Sequence, residues 1–135
     1  MKKIIPFFLL AIVLISCSKD NNLESETSEF LGKWKMTEVL FDPGDGSGTY
    51  QPVTENKTLE FLSNGSVTSN YSFCNLVTPA DGTYSAPYFA SENQISLEEC
   101  FDSQYTIEYQ LEGDNLILYY PCIEACSYKF VRMSL

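Results

Sequence analysis

Residues 105–120 read YTIEYQLEGDNLILYY, and no other stretch restricts the fold as much. Tyr105, Ile107, Tyr109 and Leu111 alternate with Thr106, Glu108, Gln110 and Glu112. A period of two sends one set to one face of a strand and the other set to the opposite face. Gly113-Asp114-Asn115 then turns the chain, and LILYY returns as the second strand of a hairpin. TLEFLSNGSVTSNYSF repeats the device: Leu59 and Phe61, the turn pair Asn64-Gly65, then Val67, Tyr71 and Phe73.

The same reading extends from residue 30 to residue 135, where no helical stripe interrupts it. It predicts about eight strands, near 32–41, 57–62, 66–73, 82–88, 94–99, 104–112, 115–121 and 127–134. Short connections pair sequential strands antiparallel. Eight such strands close into an up-and-down barrel, which removes exposed edges; a two-sheet β-sandwich is the alternative. Alternation from Trp34 and Met36 would turn Glu38 inward, where a carboxylate must find a partner. A bulge before Val39 and Phe41 is the expected way out.

The chain opens MKKIIPFFLLAIVLISCSKD. Lys2 and Lys3 precede an apolar run to Ile15 that is too short for a membrane-spanning helix, which needs about 20 residues. It has the form of a signal peptide. Leu14-Ile15-Ser16-Cys17 resembles the bacterial lipobox, which implies cleavage after residue 16 and lipidation of Cys17. Acyl chains such as palmitate would then hold the protein to a membrane, since each buried methylene contributes about 0.8 kcal/mol. Residues 17–29 are polar, too poor in apolar side chains to pack, and read as a tether. Ser18 follows the cysteine in place of an inner-membrane retention aspartate, so the resemblance implies the bacterial outer membrane, on the periplasmic face or the cell surface. Ser18-Lys19-Asp20 is similar to the export tags of surface lipoproteins of Bacteroidetes type.

After residue 16 stand all 18 acidic residues and six basic ones, a net charge of −12. Such a surface does not neutralise phosphates, so nucleic acid is not an expected partner. Of five cysteines, four remain once Cys17 is set aside: Cys74, Cys100, Cys122 and Cys126. In an exported chain this reads as two disulfides. The sequence alone does not choose among the three pairings; Cys74–Cys100 with Cys122–Cys126 is our expectation. A four-thiolate zinc site is the rival, but the Cys-x3-Cys pair has no close counterpart.

Leu31-Gly32-Lys33-Trp34 carries the family resemblance. Gly-x-Trp at the start of the first of about eight strands resembles the lipocalins. The resemblance implies that Trp34 closes the barrel floor under Arg132 of the last strand, and that the loop FDPGDGSGTYQP is a lid at the mouth. The domain is similar to the small lipocalin-like lipoproteins of Bacteroidetes. Cys74-Asn75, Gly82-Thr83-Tyr84 and Phe130 also bear a weaker similarity to the META-domain family.

The chain has no histidine, so Ser-His-Asp and Cys-His chemistry is absent. Glu98 and Glu99, as strand neighbours, point to opposite faces. The loop acids Asp42 and Asp45 lack EF-hand spacing. Neither cofactor nor metal is expected, and an enzyme is a minority reading. The candidate ligand contacts are Tyr71, Tyr84, Tyr105, Tyr109 and Tyr120, placed on inward faces, and Glu38 should no bulge turn it out. The expected protein is a monomeric, lipid-anchored binder of a small apolar or amphiphilic molecule; a solid-core interaction or inhibitor module is the alternative. An eight-stranded barrel accommodates either.

Overall fold

The computed structural model describes residues 29–75, 79–100 and 103–134. The signal sequence, Cys17 and the tether up to residue 28 lie outside the described residues. Nine strands follow in order: β1 Gly32–Phe41, β2 Gln51–Pro52, β3 Thr58–Phe61, β4 Ser66–Ser69, β5 Tyr84–Phe89, β6 Gln94–Cys100, β7 Ser103–Glu112, β8 Asn115–Tyr120 and β9 Cys126–Arg132. Successive strands from β3 to β9 pair antiparallel, β1 pairs with β3, and β9 returns to pair with β1 along nearly its whole length. That last ladder closes an eight-stranded antiparallel barrel and rules out the two-sheet alternative. The extra strand is β2, which continues the β3 edge of β1 by pairing with Glu38 and Val39. Two residues, one of them proline, carry no alternation, so β2 has no signature in the sequence.

Strand direction separates two ends. At the floor, tight connections join β3 to β4, β5 to β6 and β7 to β8, and Gly65, Asn93 and Gly113 take up the positive φ these turns require. At the mouth lie the long connections, residues 42–50, 53–57, 70–75 and 79–83, and the β8–β9 connection. Both disulfides, Cys74–Cys100 and Cys122–Cys126, are at the mouth, in the expected pairing. The floor is thus held by turn geometry and the mouth by covalent bonds.

Trp34 plugs the floor. It is 1 % exposed, donates from Nε1 to the Phe30 carbonyl at 2.9 Å, and lies 4.3 Å from the Arg132 guanidinium, ring centroid to Cζ. Arg132 also donates to the carbonyls of Leu31 and Glu29, which fastens the incoming chain to the last strand. Gly32, at φ +115°, has the Arg132 Nη1 atom 3.0 Å from where a Cβ would stand. Only glycine meets both conditions without strain. Above this plug, Phe30, Phe61, Tyr88 and Tyr109 fill the lower interior with ring centroids 4.7–6.4 Å apart. Spacings of this size, mostly edge-on or tilted, are the favoured aromatic geometry.

The bulge expected in β1 is present. Met36 pairs with Phe130 and Glu38 with Lys129, which leaves Thr37 as the extra residue. Beyond it the alternation is reset: Val39 and Phe41 face the barrel axis, while Glu38 turns outward.

A candidate ligand cleft at the barrel mouth

The bulge at Thr37 builds one side of a cleft. The Thr37 carbonyl, displaced from the β1–β9 ladder, accepts a bond from the Val53 N–H at 2.9 Å. Segment 52–55 is thereby held beside the inward side chains of Met36, Val39 and Phe41. Tyr128 continues this wall as the cross-strand neighbour of Val39, and Cys74 and Asn75 also line the cleft, with Cys74 fixed by its bridge to the fully buried Cys100. The cleft is open to solvent, with a volume of about 540 Å3. Ligand sites typically run from roughly 300 to 1,000 Å3 and are mostly apolar, and this cleft meets both conditions.

One wall residue is a cation. Lys57 precedes β3 and shares the inward alternation of Leu59 and Phe61. Its position is fixed from both sides by one side chain: Asn70 Oδ1 accepts from the Thr58 N–H, and Asn70 Nδ2 donates to the Asn56 carbonyl, each at 2.8 Å. The Lys57 carbonyl accepts from the Met36 N–H, continuing the β1 edge. The residue is 4 % exposed; its ammonium pairs with Glu55 and lies 6.0 Å from the centroid of the Tyr71 ring. Buried charges of this kind persist only when paired.

Behind the wall is a group of tyrosines. Tyr71 and Tyr120 are buried, and Tyr120 packs edge-on against Tyr128 with centroids 5.0 Å apart. The Tyr71 and Tyr120 hydroxyls face one another short of good hydrogen-bond geometry, and among the described residues neither has another partner, nor does the Tyr109 hydroxyl near the floor have one. Burial pushes the Tyr71, Tyr109, Tyr120 and Tyr128 hydroxyls well above the ordinary phenol range, because the phenolate loses its hydration.

The six sequence candidates divide. Tyr71, Tyr109 and Tyr120 are buried and inward, and Tyr105 is half-buried against the core. Tyr84 is a correction. It is in register with inward Ser69, but it stands at the first position of β5, past the rim, and is 37 % exposed with its ring over Gly82. Glu38 follows the expected bulge. The bulge places it outside, where it pairs with Lys129; the Lys129 ammonium in turn sits 3.9 Å from the centroid of the Tyr50 ring. Tyr50 bonds Ser127 across 2.7 Å.

Those contacts place the segment read as a lid. Residues 42–50 turn back on themselves, and Tyr50 is clamped on the outside of β9, so the chain after it forms a cleft wall. Asp42 organises the turn. Its carboxylate accepts from the N–H groups of Gly44, Gly46 and Gly48 at 2.7–3.0 Å. These bonds, that from Gly48 foremost, hold its carboxyl below the ordinary range.

Sequence reasoning passed over Lys57 and Asn70. Alternation back from Phe61 and Leu59 gives the first; the second acts through backbone bonds that leave no pattern. No protein-family model matches the chain, and no curated protein or solved structure shows significant similarity to it.

Proposed function

We propose that this is a lipid-anchored protein of the bacterial outer membrane, lipocalin-like in build, that binds a small apolar or amphiphilic molecule in its mouth cleft. The cleft carries the reading: about 540 Å3 of mostly apolar surface at the one end of a filled barrel that is not sealed by tight turns. The anchor rests on the lipobox-like Leu14-Ile15-Ser16-Cys17. The chain enters the barrel at the floor, through Phe30 and Leu31, so a lipid on Cys17 tethers the end opposite the cleft. A tether of 12 residues reaches at most roughly 40 Å. We read the role as binding: the cleft is mostly apolar, and its carboxylate Glu55 and ammonium Lys57 pair with each other.

One observation favours the alternative, an interaction module. Phe41 is 62 % exposed and Ile123 fully exposed, both at the mouth. Native mass spectrometry of the protein purified from a bacterial envelope separates the two. The carrier reading predicts a small molecule that survives desolvation and is lost on denaturation, and a diacylglyceryl group on Cys17. A protein free of small molecules that also fails to bind the neutral probe N-phenyl-1-naphthylamine would leave the interaction module as the better account.

A further inference from the structure

The paired hydroxyls behind the cleft wall deepen the proposed binding role, and the inference they carry rests on that role. Tyr71 and Tyr120 bring two O–H donors together. Even with one donating to the other, the second proton has no acceptor among the described residues, where neither hydroxyl has any further partner. An orphaned buried donor costs about 1–3 kcal/mol, and phenylalanine would fill the same space without that cost. Both rings touch the cleft wall: Tyr120 packs on Tyr128, and Tyr71 lies beneath the Lys57 ammonium. A donor-rich patch of two phenols and one ammonium therefore stands directly behind an apolar opening.

We propose that the cleft takes its ligand head-first: an amphiphile whose head offers an acceptor oxygen, a carboxylate or an ester carbonyl, to the Tyr71 and Tyr120 hydroxyls beside Lys57, with its apolar tail along Met36, Val39 and Tyr128. Tyr128 is the side chain that turns aside to admit the head. Burial keeps both phenols protonated, and so donors, throughout the neutral range. The net charge of −12 after residue 16 works against an anionic ligand, so a preference for one would have to come from the site itself.

The test is displacement of N-phenyl-1-naphthylamine from the purified protein by three molecules with the same tail: laurate, methyl laurate and dodecylamine. The expected result is that laurate or methyl laurate displaces the probe at a concentration at least tenfold below that of dodecylamine. Whichever ester or acid acts more strongly identifies the head. In the double variant Tyr71→Phe, Tyr120→Phe the preference should vanish, with a melting temperature no lower than the parent's. A preference that persists in the double variant, or one for dodecylamine, overturns the head-first inference and leaves the cleft reading standing. Failure of the probe to bind the parent protein overturns both.

Discussion

At the scale of single residues, Trp34 and Arg132 hold the floor together. The indole is enclosed by the barrel and by its bond to Phe30, while the guanidinium covers it and binds two carbonyls of the entering chain. Arg132→Met keeps much of the side-chain bulk and removes the charge and its donors. A cation–π contact contributes about 0.5–2 kcal/mol and each hydrogen bond about 0.5–1.5 kcal/mol. Because Arg132 is solvent-exposed, the expected loss is at the low end, about 1–2 kcal/mol in a urea melt. Arg132→Lys should not rescue it, since an ammonium cannot lie flat on the indole while bonding two carbonyls. A lysine variant as stable as the parent would show that the plug depends on charge alone.

At the scale of elements, the two ends of the barrel are secured differently, and the disulfides test that division. In the chain-entropy model, sequence separations of 26 and 4, each closing a loop one residue longer, correspond to about 3.6 and 2.1 kcal/mol for Cys74–Cys100 and Cys122–Cys126. Replacing Cys122 and Cys126 by serine should therefore cost less than replacing Cys74 and Cys100, and only the second exchange should disturb the cleft wall. Paired denaturation curves with N-phenyl-1-naphthylamine binding check both statements; equal effects on binding would contradict the division. Strands β1 and β3–β9 were legible in the sequence because each has one face in the core, which imposes period two. The bulge was legible because Glu38 made unbroken alternation untenable. Strand β2 was not, since its pairing partner, the β1 edge past Thr37, exists only after folding. Tyr84 misled because alternation specifies a face and not the height of the rim. The packing of the 42–50 loop was not legible for a related reason: the Tyr50 contacts to Ser127 and Lys129 join positions 77 or more residues apart in the chain.

At the scale of the whole molecule, the interior is an aromatic column with tyrosine hydroxyls spread along it. The folded state raises the pKa of Tyr71, Tyr109, Tyr120 and Tyr128, whereas the unfolded chain ionises near 10. A raised folded-state pKa gives stability that is complete below the unfolded value and declines as pH rises above it. The protein should thus unfold cooperatively in alkali, above about pH 10, and absorbance at 295 nm should show these tyrosines ionising together with loss of structure. A smooth titration of all tyrosines in the folded state would mean the column admits water.

The central claim is that a barrel filled at its floor keeps a usable cleft at its mouth. Amide-resolved NMR of the protein during titration with laurate tests it most directly. A usable cleft predicts saturable shifts centred on Met36, Val39, Val53, Lys57 and Tyr128, with Trp34 and the floor turns unaffected. Shifts confined to the outer face around Glu38 and Lys129, or none at all, would contradict it.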